Sequence, residues 1–122
     1  MYCIMMYTCP MYSKELLKGT LSPIILSLLS ENGKMYGYEI FMKVKDLSDG
    51  KIILKDGSLY PILQKMHKEG LLTFEEVSIG KRIRKYYYLT AQGEQKKRDY
   101  LAELKDFMNT INLVVFQSYK TT

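Results

Sequence analysis

Residues 55–93 read KDGSLYPILQKMHKEGLLTFEEVSIGKRIRKYYYLTAQG, and this stretch decides the fold of the chain. Helical apolar spacing in Gly57–Gly70, ending on a glycine, predicts a short helix. The rest predicts a hairpin, with strand-like runs in Leu71–Val77 and Tyr86–Leu89 on either side of a basic turn in Ser78–Lys85. A helix, a strand, a basic tip and a second strand, in that order, indicate a winged helix, whose helix can enter a DNA groove. The pattern therefore indicates nucleic acid as a partner and requires no catalytic motif.

The helix in this stretch divides into an apolar face and a polar face. Apolar side chains at steps of three and four predict an inward stripe of Leu59, Ile62, Leu63 and Met66. The outward face is polar, basic and aromatic, as a groove-facing surface would be, and comprises Ser58, Tyr60, Pro61, Gln64, Lys65 and Lys68. A solvated helix face is the alternative interpretation. Asp56 is predicted to cap the first turn by accepting a free backbone N–H.

Positive charge is concentrated in the predicted wing. The 122-residue chain has a net charge of +5, which by itself is weak evidence for a polyanionic partner. Four bases lie close together in the sequence, at Lys81, Arg82, Arg84 and Lys85. At a hairpin tip they can reach phosphates beside a groove and release counterions. Hairpin tips also carry charge to prevent edge-to-edge pairing, but the adjacent helix favours DNA contact.

The chain before this stretch begins with two predicted helical segments. A turn or short helix in 13–18 precedes a main helix that starts near Thr20–Ser22. Pro23 sets this start, because a residue without a backbone N–H fits only the first turn. Asn32–Gly33 is predicted to stop the helix.

A third helix and a short strand are predicted next. Tyr36–Tyr38 opens the helix, whose apolar pattern ends after Leu47. Its buried residues are predicted to be Ile40, Phe41 and Val44. After a turn in Ser48–Gly50, the β-branched run Lys51–Lys55 predicts a small strand that pairs near the wing.

Tyrosine is abundant, with eleven residues against no tryptophan. Because side chains alternate along a strand, Tyr86 and Tyr88 share one face and Tyr87 takes the other. At least one of them is expected in the core with its hydroxyl at the boundary. A stacking platform for single-stranded nucleic acid is a weaker alternative, since the sequence has only one such strand.

The last predicted element is a long helix from about Ala91 to Tyr119. Alternating steps of three and four define a heptad seam of Leu101, Leu104, Met108, Ile111 and Val115, and a parallel stripe contains Tyr100, Phe107 and Val114. This surface is wider than a small neighbouring domain can cover. A second copy of the chain is the simplest cover, so the pattern predicts a homodimer.

The sequence indicates no enzyme, cofactor or metal site. His67 is the one histidine, and nothing near it in the sequence forms a pair of nucleophile and base. Glu75 and Glu76 are adjacent on a predicted strand, so they point to opposite faces and cannot act as a pair. Two cysteines and one histidine cannot supply an ordinary four-ligand zinc site.

The first residues differ from the rest of the chain. Residues 1–12 are rich in methionine and are predicted to form a flexible arm, which is dispensable if translation begins at Met11. Cys3 and Cys9 are expected to be free thiols of a cytoplasmic protein. The arm lacks the basic start of a signal peptide, and no apolar run of about 18 residues exists to span a membrane.

Five motifs, taken in order, resemble the PadR family of bacterial transcriptional regulators: Tyr36–Ile40, Gly57–Leu63, Glu69–Leu71, Arg84–Thr90 and Gly93. Each motif is weak alone, whereas their ordered series is specific. The resemblance covers about residues 13–118. A single helix after the wing is similar to the small subfamily.

The resemblance implies a homodimeric winged helix-turn-helix repressor that binds a palindromic operator in double-stranded DNA and leaves it when a small molecule binds. By position, Gly57–Glu69 is the recognition helix. Tyr38 and Tyr60 match tyrosines near the DNA backbone, and the wing bases match those named above. Some drug-binding relatives carry a tryptophan on the C-terminal helix, where this chain has Leu104. The missing tryptophan disfavours the binding of flat aromatic drugs and leaves open an apolar cavity at the dimer interface. The effector that the resemblance implies is a small apolar or aromatic molecule.

Together these features predict an α+β, mainly α fold, with an arm in 1–12, a winged helix domain in 13–90, and a dimerisation helix and tail in 91–122. The predicted function is DNA-binding repression, in which Ser58, Gln64 and Lys65 reach base edges or nearby phosphates while the tyrosines and wing bases position the backbone. The rival is a winged-helix module that binds proteins or small molecules and does not use DNA. Redox sensing through the two cysteines is a third hypothesis, although nothing around them indicates an activated thiol.

Overall fold

The computed structural model describes residues 12–120 and confirms a mainly helical fold with a two-stranded antiparallel wing. The elements are α1 (Lys14–Lys18), α2 (Leu21–Asn32), α3 (Gly37–Leu47), α4 (Asp56–Lys68), β1 (Leu72–Ile79), β2 (Arg82–Leu89) and α5 (Ala91–Lys120). The predicted arm up to residue 11, with both cysteines, lies outside the described residues.

The first two helices begin where the sequence predicts. The Ser13 hydroxyl accepts a hydrogen bond from the Leu16 N–H at 3.1 Å and so caps α1. Pro23 lies in the first turn of α2, where its missing N–H leaves no helical hydrogen bond unmade. Gly33 ends α2 at a φ of +77°, a conformation that favours glycine.

The core is built from one face of α2, α3 and α4, from residues of the segments that connect the elements, and from the inner face of the wing. It contains Ile25, Leu26, Leu28, Leu29, Met35, Ile40, Val44, Leu54, Leu59, Leu63, Met66, Leu71, Leu72 and Tyr87. Leu59, Leu63 and Met66 are buried as predicted, and Ile62 packs against them half-buried. Tyr87 is buried at 5% exposure, which confirms the prediction that at least one of the three strand tyrosines lies in the core.

The predicted strand in Lys51–Lys55 is wrong. This segment is irregular, and it contributes Leu54 to the core while the Ile52 N–H donates to the Ser48 hydroxyl at 3.0 Å. The backbone that pairs with the wing belongs to Met35, which exchanges hydrogen bonds of 3.0 and 2.9 Å with Tyr87. The run is apolar because Leu54 lies in the core and Ile52 packs against it, and not because the segment joins a sheet.

The predicted basic turn is too long. Strand β2 begins at Arg82, which pairs with Ile79, and Gly80–Lys81 alone forms the turn. Gly80 has a φ of +63°, as a tight two-residue hairpin turn requires. Lys81 therefore lies at the tip, whereas the other three bases lie on the strand, because cross-strand pairing outweighs the low strand propensity of charged residues.

The predicted cap at Asp56 is misplaced by one residue. Helix α4 begins at Asp56 itself, and the cap residue is Lys55, whose carbonyl accepts from the N–H groups of Ser58 and Leu59 at 2.9 and 2.8 Å. The carboxylate of Asp56 still lies in the first turn, where negative charge complements the helix dipole.

Helix α5 is held to the body only near its start. The Thr90 hydroxyl donates to the Gly70 carbonyl at 2.7 Å, and the Ser30 hydroxyl donates to the Glu94 carboxylate at 3.1 Å. The helix has 30 residues, a length of about 45 Å. From residue 105 onward every side chain whose burial is described is exposed. None of the helices within 12–120 combines the length and apolar character that a membrane crossing needs.

Candidate nucleic-acid interface

The outward face of α4 is open to solvent as predicted. The side chains of Ser58, Tyr60, Pro61, Gln64, Lys65 and Lys68 are all exposed. Their exposure follows from the burial of the opposite face, where Leu59, Leu63 and Met66 lie in the core.

Tyr60 is seated against the start of α3. A Cβ built on Gly37 would lie 2.5 Å from the Tyr60 hydroxyl and 2.9 Å from two of its ring carbons. Glycine at residue 37 therefore permits the close approach of this ring. Since Tyr60 remains 41% exposed, one edge of the ring packs on α3 and the rest faces outward.

A concave surface of about 410 Å³ lies between the start of α3, the outward face of α4 and strand β2. Its lining residues are Tyr36, Gly37, Tyr38, Tyr60, Gln64, Arg82, Ile83, Arg84, Lys85 and Tyr87. Six of these are predicted DNA contacts, so the fold brings a tyrosine pair, one amide and three bases to one place. We call this surface the helix–wing concavity.

Four predicted contacts do not line the helix–wing concavity. Ser58, Pro61 and Lys81 lie outside it, with Lys81 at the wing tip. Lys65 instead lines a groove of about 590 Å³ between α4, α1 and α5, together with Leu16 and Phe107. Sequence reasoning also missed Tyr36 and Ile83. The alternation along β2 could have placed Ile83 beside Lys85, but nothing in the sequence indicates that Tyr36 reaches the wing.

The wing bases differ in how far they are engaged. Within the described part of the chain, no side-chain hydrogen bond, ion pair or ring contact involves Lys81 or Arg82. The Lys85 ammonium lies 4.7 Å from the centre of the Phe74 ring. Arg84 is half-buried, with its guanidinium 4.0 Å from the centre of the Tyr36 ring. Lys81 and Arg82 are therefore free to contact an anion.

Hydrogen bonds and burial shift the pKa values of three side chains in or beside the concavity. The hydrogen bond from Arg84 to the Tyr86 hydroxyl raises the pKa of Arg84, so this side chain stays a cation. The hydrogen bond to Glu75 raises the pKa of Lys34 at the edge of the wing. Burial, and secondarily Tyr60, raise the pKa of Tyr87, which keeps this phenol neutral. The surface is therefore cationic at neutral pH.

A separate apolar cleft of about 590 Å³ lies between α2, α3 and α5. It is lined by side chains of α2, α3 and α5 together with the loop after α3, among them Ile24, Leu28, Val44, Ile52, Leu101 and Leu104. Lys43 and Glu31 also line it. Its volume falls in the range of small-molecule sites.

The predicted seam of α5 divides into a docked part and an exposed part. Tyr100 packs on the core and Leu104 is half-buried. The exposed members are Leu101, Phe107, Met108, Ile111, Val114 and Val115. Leu113 and Phe116 are also exposed, and the heptad pattern did not include them. No cluster of three or more histidine, cysteine or acidic side chains in 12–120 could hold a metal ion.

Residues 25–99 match the Transcriptional regulator PadR-like family. The chain belongs to this family. An uncharacterized protein of Lysinibacillus sphaericus is 32% identical over 77% of this chain and 83% of its own length. A transcriptional regulator of Clostridium thermocellum has a similar structure, with 29% identity, a TM-score of 0.77, and coverage of 83% of this chain and 98% of that one. The PadR-like family is one of transcriptional regulators and not of enzymes.

PadR of Bacillus subtilis is a relative whose structure was solved in complex with operator DNA. Its sequence, named a negative transcriptional regulator, is 32% identical over 71% of this chain, which spans about half (48%) of that relative's length. Its structure in complex with operator DNA matches with 34% identity and a TM-score of 0.61, covering 66% of this chain and 46% of that one. This PadR-like chain therefore shares, over that part, the fold of a relative that was solved in complex with operator DNA.

Proposed function

We propose that this chain is a homodimeric repressor that binds a palindromic operator in double-stranded DNA and leaves it when a small molecule binds. The observation that carries the proposal is the helix–wing concavity, which combines an exposed helix face with cationic wing residues. The operator complex of Bacillus subtilis PadR supports it through the shared fold, and the name of that relative supports repression.

Helix α4 would enter the major groove, with Gln64 and Ser58 facing base edges. An amide side chain can donate and accept at once, which suits the paired donor and acceptor of adenine. Tyr38, Tyr60 and the exposed bases of β2, which do not include the half-buried Arg84, border the helix and would contact phosphates on either side. Such contacts orient a protein on the duplex without reading sequence.

Dimerisation would cover the exposed seam of α5. Phe107 and Val114, at 58% and 75% exposure, are apolar side chains that the described body leaves in water. Exposed apolar surface of this extent on a helix is the usual mark of an interface. A two-fold axis along α5 would present two copies of α4 to the two halves of a palindrome.

The effector would bind in the apolar cleft of α2, α3 and α5. Because Leu101 and Leu104 line this cleft and also belong to the α5 seam, a molecule there would touch the helix that sets the dimer geometry. The lining suits a small apolar or aromatic molecule. A change in the angle of α5 would alter the separation of the two α4 helices and so weaken operator binding.

The proposal is tested by binding of the purified protein to its own promoter region and to a scrambled duplex at two salt concentrations. Selective, salt-sensitive binding is the expected result. Absence of binding even at low salt would favour the rival function, a winged-helix module for proteins or small molecules.

Replacing Gln64 with alanine should reduce the preference for operator over random DNA by about 1–3 kcal/mol, because a contact to a base edge is lost while phosphate contacts remain. Competition titrations with the two duplexes measure this ratio. Lys68→Ala, on the last turn of α4 and outside the helix–wing concavity, is the control and should leave the ratio unchanged. An unaltered ratio in Gln64→Ala would remove this residue from base readout.

Replacing Lys81 with alanine should weaken binding to all duplexes alike and lower the salt dependence of log K by about one, since one phosphate contact is lost. The measurement is a titration of affinity against salt for operator and scrambled DNA. Lys105→Ala, an exposed base on α5, removes the same charge away from the wing and should keep the wild-type slope. Equal slopes for wild type and Lys81→Ala would mean that the wing tip is only solvated.

A further inference from the structure

A short segment, Lys34–Tyr36, lies along β2 as a third strand-like piece. Met35 faces the core and forms the paired bridge to Tyr87. The residues on either side of it reach over the opposite face of β2. The Tyr36 ring meets Tyr86 edge-on at 5.4 Å, and the Lys34 ammonium lies 5.0 Å from the centre of the Tyr88 ring. The segment Lys34–Tyr36 therefore contacts side chains on both faces of β2.

Arg84 on β2 contacts this segment from the wing. Its guanidinium stacks over the Tyr36 ring at 4.0 Å, and its Nη1 donates to the Tyr86 hydroxyl at 3.4 Å. Tyr36 is itself fixed at the start of α3, because its backbone N–H donates to the Glu39 carboxylate at 3.1 Å. Arg84 thus contacts one residue of its own strand and one residue at the end of another element.

These contacts continue to the helix that faces DNA. Tyr36 precedes Gly37, and Gly37 is the residue against which the Tyr60 ring of α4 is seated. A path of direct contacts therefore runs from Arg84 through the start of α3 to α4. Arg82, on the same face of β2 two residues earlier, is exposed and has no such contact within 12–120.

We propose that Arg84 is a positioning residue that locks the wing onto the start of α3 and so sets the separation between wing and recognition helix. The expected effect of Arg84 on DNA binding rests on the proposed function. Its expected effect on the position of the wing does not. Arginine suits the role because a planar guanidinium can stack on a ring and donate in its plane at the same time. Lysine keeps the charge and loses that geometry.

The first test uses the free protein and needs no DNA. In Arg84→Lys, amide hydrogen exchange in β2 and at Met35 should accelerate roughly threefold to tenfold, because a stacked, hydrogen-bonded cation is lost. Tyr36→Leu should accelerate the same amides, whereas Tyr36→Phe keeps the ring and should behave as wild type. Adding Arg84→Lys to Tyr36→Leu should cause little further acceleration, since Tyr36→Leu already removes the ring over which Arg84 lies.

The control is Arg82→Lys, which makes the same change on the same face of the strand and should leave amide exchange unaltered. A second signature is the Arg84 Nε–H resonance, which the Tyr36 ring should shift upfield in wild type and in Tyr36→Phe but not in Tyr36→Leu. Wild-type exchange in both Arg84→Lys and Tyr36→Leu would overturn the proposal, whether or not the protein binds DNA.

The second test measures operator affinity across salt concentrations. Arg84→Lys should weaken binding roughly threefold to tenfold at every salt concentration with the slope of log K preserved, because the charge remains while the wing loses its fixed position. If Arg84 contacted a phosphate, operator affinity would instead stay unchanged in Arg84→Lys, since lysine can replace arginine as a point charge. Wild-type affinity in Arg84→Lys, together with wild-type exchange, would assign Arg84 to the phosphate contacts.

Discussion

Replacing Met108 with aspartate is expected to convert the protein to monomers and to abolish tight operator binding. Met108 is 61% exposed at the middle of the α5 seam, so the proposed dimer would bury it in both copies. Each copy loses about 1.5–3 kcal/mol of apolar burial. Across two copies the dimer dissociation constant should rise at least about a hundredfold. Analytical ultracentrifugation over a concentration series measures the change.

Operator affinity should fall with the dimer, because a monomer loses the second half-site that is otherwise held at high effective concentration. Asn109→Asp is the matched control, since it adds the same charge at the next position of α5, outside the seam. It should remain dimeric and bind operator as wild type does. A stable dimer of Met108→Asp with intact operator binding would show that α5 does not form the interface.

Replacing Gly93 with alanine is expected to lower the free energy of unfolding by about 1–3 kcal/mol, because the added methyl group overpacks a filled site. Helix propensity alone predicts the opposite sign, since alanine normally stabilises a helix by about 1 kcal/mol relative to glycine. Here the added Cβ would overlap the carbonyl oxygen of Leu71 and lie 3.3 Å from a methyl of Leu89. That carbonyl cannot retreat freely, because it accepts from the N–H and the hydroxyl of Thr90.

Urea denaturation at one fixed chain concentration measures this loss, since association would make stability concentration-dependent. Gly57→Ala provides the control within α4, because a Cβ at residue 57 meets no atom within 4 Å. It should be neutral or slightly stabilising. Equal stabilities of the two variants would mean that the junction between the wing and α5 can shift to accept a methyl group.

The helical stripes were predictable because apolar spacing and burial have the same physical cause. Leu59, Leu63 and Met66 had to face one way, and Tyr60 and Gln64 were left outside as a consequence. The order of helix and hairpin was predictable for the same reason. The resemblance to the PadR family, which the family match confirms, rests on that order and on glycines such as Gly37 and Gly93, each of which permits a close approach.

The third strand-like piece was not predictable from local pattern. The run Lys51–Lys55 has the β-branched residues of a strand, yet Lys34–Tyr36 occupies the place beside β2. Only the burial of Tyr87 and the stacking of rings on the outer face select that segment. Arg84 was predicted as a phosphate contact from its charge and its position in the sequence. The Tyr36 ring that its guanidinium contacts lies 48 residues earlier in the chain, so local sequence could not indicate this contact.

In the proposed dimer, helix α5 would also link the stability of each chain to its copy number in the cell. Its side chains from residue 105 to residue 117 are exposed, so a second chain would bury the apolar ones among them. This burial would add to the stability of each chain only when a second chain is bound. At low abundance the gene product would therefore be less stable as well as unpaired, and thus more open to proteolysis. Operator occupancy would then respond steeply to synthesis rate, since pairing depends on the square of chain concentration.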